Sequence, residues 1–463
     1  MNRALLIDFG STYTKLRSID LDRGVIDGAS QGPSTINTDI TIGMDLALEG
    51  LKTSLGYLPN FKYKLASSSA AGGLKMVTIG LVRELTLEAA RRAALGAGAK
   101  LIGTYAYRLN SSDINRIFES QPDILLLAGG TDGGDSQVVI HNSKMLGSSL
   151  ISCPIIYAGN RSAIDEVAIN LGDKHLVVCE NVMPEFGELN IEPTRAAIRD
   201  LFIKNIVNAK GISKAQGRVD SVLMPTPAAV LEGARLLADG IDGLPGLGEL
   251  IVIDPGGATT DVHSVADGNP TVQGVVSRGL VETRLKRTVE GDLGMRHNAK
   301  TIVELVGIES IANDSGLNQS QTEDIINVFL HNVDHLPLNQ TEISVDESLA
   351  MAALKIAMKR HCGTTEVVYT ANGPVTALDG KDLTSVTTII GTGGVIAHSS
   401  KAPELLKACF YDINEPSSMR PMNPEILIDK DYILFAAGLL AQVDPKTALK
   451  MALNSLQINK NYI

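Results

Sequence analysis

Short apolar runs alternate with amphipathic stretches along most of the chain, and this alternation predicts an α/β fold. Strands are predicted at residues 4–8, 14–19, 62–66, 124–128, 155–158, 175–179, 250–254, 260–265, 367–370 and 387–390. Helices are predicted at residues 83–96, 194–209, 227–239, 298–306, 346–360 and 431–442. Between residues 62 and 180 the pattern indicates successive βα units of one parallel sheet. Residues 308–322 are a polar stretch, and the proline-bearing stretch at 411–430 is predicted to be irregular.

Glycine and proline cluster between residues 239 and 248, directly before a new apolar strand. We therefore predict two domains, comprising residues 1–245 and 246–463, with the extra βα units in the first.

Composition narrows the class of protein. The net charge of -11 argues against a nucleic-acid-binding surface, which normally needs a basic face. The four cysteines are scattered without metal-site spacing, as in proteins of a reducing compartment. The sequence shows neither a signal-peptide pattern nor an apolar run of membrane-spanning length, so we expect a cytoplasmic protein with no membrane partner.

Two glycine turns carry most of the candidate chemistry. Each follows an apolar strand that ends in Asp, and each leads into a second, polar strand; the Asp residues are Asp8 and Asp254. Glycine lets the backbone approach a phosphate and present its N–H groups, and Ser or Thr can add hydroxyl donors. The predicted phosphate ligands are Gly10, Ser11, Thr12, Lys15, Gly256, Gly257, Thr259 and Thr260.

Asp8 and Asp254 are also predicted to be catalytic, holding a water and Mg²⁺, an ion that proteins bind through one or two carboxylates together with phosphate oxygens. Asp261 either positions a water or caps the second turn. A third turn, which follows the strand at 387–390, supplies Gly391, Gly393 and Gly394 as the predicted contacts to the adenosine.

With these three turns in this order, the chain resembles the actin–Hsp70–sugar kinase (ASKHA) superfamily. Residues 8–14 and 254–261 resemble its two phosphate motifs, and residues 391–395 resemble its adenosine motif. Residues 224–233 and 434–440 resemble its two connecting helices. The resemblance implies two ribonuclease H-like domains of the actin/Hsp70-like ATPase type, with ATP and Mg²⁺ in a cleft that closes about the connecting helices.

Two further segments, residues 125–134 and 287–296, resemble a narrower family, the glutamate mutase accessory proteins called MutL or GlmL. These are unrelated to the mismatch-repair MutL. The resemblance implies a partner subunit of an adenosylcobalamin-dependent mutase, of the glutamate mutase or aminomutase type. It also implies that ATP-driven domain closure reactivates the mutase by releasing damaged cobalamin.

Two departures from the superfamily pattern predict a slow ATPase. Ala258 stands where chaperone relatives often have a third glycine, and its methyl group lies near the predicted phosphate. The first connecting helix begins Met224-Pro225-Thr226, without the carboxylate or amide that fast ATPases of the superfamily use to orient water.

Other interpretations of the same sequence remain. A small-molecule, sugar-type kinase on the same fold is the main alternative, and a filament-forming protein is a third class. His263 lies in an incomplete cobalamin-ligating motif, and we interpret it as a partly exposed strand residue. The loop at 129–134 is a tight turn, an anion site or a mutase-docking loop. The basic clusters at 91–92 and 284–287 are predicted to be solvated helix faces.

Overall fold

The computed structural model describes residues 2–10, 13–35, 39–69, 74–209, 219–371 and 373–460. Its strands are β1 (Arg3–Phe9), β2 (Tyr13–Asp20), β3 (Val25–Pro33), β4 (Tyr63–Ser68), β5 (Leu74–Gly80), β6 (Ala99–Ala106), β7 (Ile124–Leu127), β8 (Ile155–Tyr157), β9 (Leu176–Val178), β10 (Ser221–Pro225), β11 (Gly240–Ile241), β12 (Leu244–Pro245), β13 (Leu250–Pro255), β14 (Thr260–Val265), β15 (Val275–Arg278), β16 (Leu285–Glu290), β17 (Thr364–Thr370), β18 (Gly373–Asp379), β19 (Thr388–Gly391) and β20 (Glu425–Ile428). Its α-helices are α1 (Ile40–Leu55), α2 (Thr86–Gly96), α3 (Ser111–Ser120), α4 (Gln137–Gly147), α5 (Ile164–Leu171), α6 (Glu192–Ala209), α7 (Thr226–Asp239), α8 (Ala299–Val306), α9 (Ile308–Ser315), α10 (Gln319–His331), α11 (Gln340–His361), α12 (Gly394–His398), α13 (Ala402–Leu406), α14 (Ile433–Leu440) and α15 (Pro445–Lys460). The predicted α/β class is confirmed.

The chain divides into two compact units. The first comprises Met1–Gly233, Gly279–Val281 and Phe435–Met451, and the second comprises Ala234–Arg278, Glu282–Leu434 and Ala452–Ile463. Helices α7 and α14, which carry the predicted connecting motifs, each begin in one unit and end in the other. The predicted domain boundary after residue 245 stays a prediction.

The first unit contains two five-stranded sheets. In one, with the order β10-β4-β1-β2-β3, strands β1 to β3 are antiparallel neighbours and β4 and β10 run parallel to β1. From the sequence, the strand at 62–66 is predicted to lie in the same parallel sheet as the strands that follow it. That prediction is wrong, because this strand, β4, pairs with β1 in the present sheet.

The other sheet of this unit is entirely parallel and has the order β6-β5-β7-β8-β9. Its central strands β5, β7 and β8 are largely buried, as is typical of a parallel sheet, whereas the edge strands β6 and β9 are partly exposed. Within β5, Met76 packs in one apolar core with α2 and α6, whereas Val77 and Ile79 pack in a second core. The alternation follows from the two-residue period of a strand.

The second unit repeats the arrangement of the first sheet. Its five-stranded sheet has the order β16-β14-β13-β19-β20, with β13, β14 and β16 antiparallel and with β19 and β20 parallel to β13. Strand for strand, this matches the order β3-β2-β1-β4-β10. The prediction of two ribonuclease H-like sheets is therefore confirmed.

The polar stretch at 308–322 and the stretch at 411–430, which is predicted to be irregular, both contain regular structure. The stretch at 308–322 contains α9 and the start of α10, whose buried Ile311 and Ile326 face the core of the second unit. The stretch at 411–430 contains β20, which pairs with β19. The prediction for 411–430 is wrong because it gives too much weight to proline, whereas the buried Leu427 and Ile428 fix β20 in the sheet.

Among the described residues, none of the helices is both long and apolar enough to cross a membrane.

Candidate nucleotide-binding site

The first glycine turn joins β1 to β2 in the first unit. The N–H of Gly10 donates to the carbonyl of Tyr13 at 3.0 Å. A Cβ on Gly10 would lie 2.6 Å from that same carbonyl oxygen, so the turn can close only around glycine. Ser11 and Thr12, both predicted phosphate ligands, lie outside the described residues.

Asp8 lies at the end of β1 and is 5% exposed. Its Oδ1 accepts hydrogen bonds from the hydroxyls of Thr226 at 2.5 Å and Ser67 at 3.3 Å. Burial raises the pKa of Asp8, while the charge of Lys15 and the two hydroxyl donors act in the opposite direction. Lys15 is the cross-strand partner of Asp8 in the sheet, so this predicted phosphate ligand lies beside the predicted metal ligand.

The second turn has the same construction in the second unit. The N–H of Gly256 donates to the carbonyl of Thr259 at 2.8 Å, and a Cβ on Gly256 would lie 2.9 Å from that oxygen. Asp254 stands opposite Asp261 across the β13–β14 pair, as Asp8 stands opposite Lys15. The two turns are therefore equivalent positions of one repeated sheet.

A segment at residues 291–298 holds the second turn from one side. The N–H of Met295 donates to the Gly256 carbonyl at 3.0 Å, and the N–H of Arg296 donates to the Gly257 carbonyl at 2.9 Å. In a trans peptide the C=O and the next N–H point in opposite directions. The N–H groups of Gly257 and Ala258 consequently point away from the segment, and in the described part of the chain they have no hydrogen-bond partner. Adjacent N–H groups with this orientation form an anion site.

This bracing segment, residues 291–298, is itself anchored in the core of the second unit. The guanidinium of Arg296 donates to Asp346 on α11 at 2.5 Å and lies 4.3 Å from the ring centroid of Phe329. Both partners are buried. Segment 287–296 resembles the glutamate mutase accessory proteins, and in the structure its second half positions the second glycine turn.

Gly294 should be essential to this brace. A Cβ on Gly294 would lie 2.4 Å from the carbonyl carbon and oxygen of Ala258, so Gly294→Ala must displace the turn. We expect about a 10-fold loss of ATP affinity, measured by titration calorimetry, because overpacking of this kind costs on the order of 1–3 kcal/mol. Gly291→Ala is the matched control, since a Cβ there meets nothing within 4 Å. Equal affinities of the two variants would contradict the role of the brace.

Asp261, Thr259 and Thr260 are held by hydrogen bonds and an ion pair within the second unit. Asp261 accepts from the Thr259 hydroxyl at 2.9 Å and pairs with the buried guanidinium of Arg287 at 2.6 Å. The Thr260 hydroxyl is buried and donates to the Leu293 carbonyl at 2.8 Å, so its predicted contact with phosphate has no support in this geometry. Arg287 lies on β16, and the prediction of a solvated helix face at 284–287 is wrong.

The third turn contacts the second turn through Asp254. Gly393 has a φ of +91°, and a Cβ on it would lie 2.3 Å from Oδ1 of Asp254. Gly394 is exposed at the start of α12. A Cβ on Gly391 would instead lie 2.6 Å from Leu406, so that glycine is required by core packing.

The predicted magnesium ligands suit that ion. Asp8 is buried and Asp254 is half-buried, and each stands beside a glycine turn. No group of three or more metal-ligating side chains exists among the described residues. Mg²⁺ does not need such a cage, because it keeps several waters and takes phosphate oxygens as ligands. Each of these carboxylates, considered within its own unit, is therefore a ligand of the type that Mg²⁺ takes together with phosphate oxygens.

His263, in the incomplete cobalamin motif, is 2% exposed on β14, so the prediction of a partly exposed residue is wrong. Burial, assisted by the charge of Arg287, lowers the pKa of His263 to about 3. An enclosed neutral imidazole in a sheet has no access to a cobalamin.

The loop at 129–134 is braced by two buried amides. Asn160 accepts from the N–H of Gly133 at 3.1 Å and donates to the carbonyl of Gly134 at 3.1 Å. Asn181 donates to the carbonyl of Gly130 at 3.0 Å. These contacts account for the loop as a tight turn after β7.

Sequence reasoning missed Thr226, Ser67 and the bracing segment as parts of the site. Thr226 precedes Pro227 at the start of α7, a pattern that signals only a helix N-terminus. The contact of Thr226 with Asp8 joins residues 218 positions apart, which no local pattern reveals.

Comparisons with known proteins identify the family to which the chain belongs. A family model described as MutL protein matches residues 4–456. Protein MutL of Clostridium tetanomorphum is 48% identical over 455 residues, which cover 97% of this chain and 98% of that protein. The match therefore extends over both compact units and all three glycine turns.

Two solved structures are similar at low identity. The activator of the 2-hydroxyisocaproyl-CoA dehydratase from Clostridium difficile, with bound ADPNP, is 11% identical, with 99% of this chain and 96% of that chain covered and a TM-score of 0.30. A glycerol dehydratase reactivase is 11% identical, with 95% of this chain and 99% of that chain covered and a TM-score of 0.34. Both TM-scores are low, and the fold assignment rests on the sheet order given above. The family model and the relative from Clostridium tetanomorphum cover nearly the whole sequence, and the chain belongs to the MutL protein family.

Proposed function

We propose that this chain is an ATP-binding accessory protein of an adenosylcobalamin-dependent mutase, of the glutamate mutase or aminomutase type. ATP-driven domain closure would act on the mutase subunit and release damaged cobalamin, so that intact cofactor can replace it. The proposal of a mutase as partner is supported by membership of the MutL family.

The observation that supports nucleotide binding most directly is the orientation of the second turn. Its carbonyls are occupied by the bracing segment, which directs the N–H groups of Gly257 and Ala258 to the opposite side. Fixed N–H dipoles of this kind bind phosphate without reorganisation. Gly10, Gly256, Gly257 and Thr259 are the proposed phosphate contacts, and Gly393 and Gly394 are the proposed adenosine contacts.

Asp8 and Asp254 would hold Mg²⁺, which neutralises phosphate charge when it is bound. Lys15, beside Asp8, would add a positive charge close to the same phosphates. The segment that resembles the first connecting helix begins Met224-Pro225-Thr226, without the carboxylate or amide of fast ATPases, and the side chain of Met224 is buried. It cannot orient a water, so we propose slow hydrolysis in which bound ATP persists as a signal.

The test is recovery of an inactivated mutase. A cognate mutase is inactivated by turnover and is then incubated with this protein, Mg²⁺, ATP and fresh adenosylcobalamin. Activity should return, and omission of ATP or its replacement by ADP should prevent the recovery. No recovery with a cognate mutase would reject the reactivation role, whereas ATP consumption that depends on an added sugar would favour the kinase alternative.

A further inference from the structure

The contact between Asp8 and Thr226 joins a predicted nucleotide motif to the first connecting helix. Three elements meet there, with Asp8 on β1, Ser67 on β4 and Thr226 as the first residue of α7. The Thr226 hydroxyl donates to Oδ1 of Asp8 at 2.5 Å and lies 3.3 Å from the Ser67 hydroxyl. A short O–H···O⁻ bond to a carboxylate is of the strong, charge-assisted kind.

The two oxygens of Asp8 therefore have different surroundings. Oδ1 receives both hydroxyls, whereas Oδ2 lies on the side of the glycine turn, 3.7 Å from where a Cβ on Gly10 would stand. A carboxylate held by one oxygen presents the other as a single, oriented ligand. Asp8 is also buried, so the surrounding protein atoms restrict the rotation of its side chain.

We propose that Thr226 is a positioning residue, which fixes the Asp8 carboxylate so that Oδ2 alone is offered to Mg²⁺ or to a water of its hydration shell. This inference rests on the proposed function, and it adds that the start of α7 and the metal ligand are one hydrogen-bonded unit. Because α7 continues from the first compact unit into the second, a change at Asp8 acts directly on a helix that both units share.

The test is the Mg²⁺ requirement of ATP binding, measured by calorimetry or by a fluorescent ATP analogue across Mg²⁺ concentrations. Thr226→Val keeps the shape and removes the donor. The Mg²⁺ concentration for half-maximal binding should rise about 10-fold, since loss of a hydrogen bond to a metal ligand typically weakens metal affinity 10- to 100-fold. Binding of ATP without Mg²⁺ should be unchanged, which separates metal positioning from general damage.

Three further variants sharpen the comparison. Thr226→Ser retains the hydroxyl and should restore the wild-type Mg²⁺ requirement. Ser67→Ala removes the longer bond and should have a smaller effect. Thr78→Val is the matched control, because Thr78 is fully buried in the same unit and its hydroxyl has no partner among the described residues. If Thr226→Val does not fold, Thr226→Ala takes its place in the titration.

A Thr226 variant that binds MgATP with the wild-type Mg²⁺ requirement would overturn the positioning role and leave the proposed function standing. Failure of Thr226→Ser to restore the requirement would also overturn it, since the hydroxyl would then not be the cause. A wild-type chain that does not bind ATP would overturn the proposed function itself, and the two failures are thereby distinguished.

Discussion

Asp8→Asn is expected to abolish mutase reactivation while the protein remains folded. The substitution keeps the size of the side chain and an oxygen that can accept from Thr226 and Ser67, so the local packing survives. It removes the negative charge that the proposed Mg²⁺ requires. We expect at least about a 100-fold loss in the rate of activity recovery, the effect of deleting one fixed electrostatic contact in an active site.

The measurement pairs the recovery assay with thermal unfolding. Asp22→Asn is the control, because Asp22 is exposed beside Asn2, at the opposite end of the β1–β2 pair from the turn. It should leave recovery unchanged. Recovery by Asp8→Asn at the wild-type rate would reject the magnesium assignment.

Gly438→Ala is expected to destabilise the first unit strongly. Gly438 lies on α14, and a Cβ there would stand 1.9 Å from the carbonyl oxygen of Ala229 and 3.0 Å from the backbone nitrogen of Gly233, both on α7. Neither helix backbone can yield without moving the apolar residues around it. We expect a loss of about 3 kcal/mol in the free energy of unfolding, the upper part of the range for overpacked cores.

Urea unfolding, followed by circular dichroism, measures this loss as a lower midpoint. Gly394→Ala is the control for stability, since a Cβ there would meet its nearest atom, the Tyr432 hydroxyl, at 3.9 Å. It should unfold at the wild-type midpoint. A Gly438→Ala protein as stable as the wild type would show that the two helices can separate at this contact without cost.

Six of the ten strands in the two ribonuclease H-like sheets, namely β1, β2, β4, β13, β14 and β19, could be predicted from the sequence together with the glycine turns, because they depend on local rules. Strand β13 begins with the apolar run Leu250–Ile253, and Gly256 is required where a Cβ would meet the backbone. Such features leave a period and a residue type that can be recognised without the fold. The order of the motifs indicates the superfamily, and segments 125–134 and 287–296 indicate the MutL family, which the family model and the relative confirm.

Pairing between distant segments could not be predicted in the same way. Strand β4 is assigned to the parallel sheet from its position before β5, yet it pairs with β1, and that pairing is fixed only by the fold. Arg287 looks like part of a basic cluster, yet its position opposite His263 on β14 places it in a buried pair with Asp261. The pairing of β4 with β1 and of Arg287 with Asp261 depends on which strands lie next to each other. No local sequence pattern reveals those neighbours.

The sequence by itself determined the two glycine turns. At Gly10 and Gly256 a Cβ would collide with a backbone carbonyl oxygen three residues later, so only glycine fits. The sequence did not determine the direction of the N–H groups in the second turn, which depends on hydrogen bonds from residues 295–297 to its carbonyls. Nor did it reveal the contact of Thr226 with Asp8, across 218 positions. Glycine is a local steric requirement, whereas the orientation of a peptide or a carboxylate is set by partners that only the tertiary structure brings together.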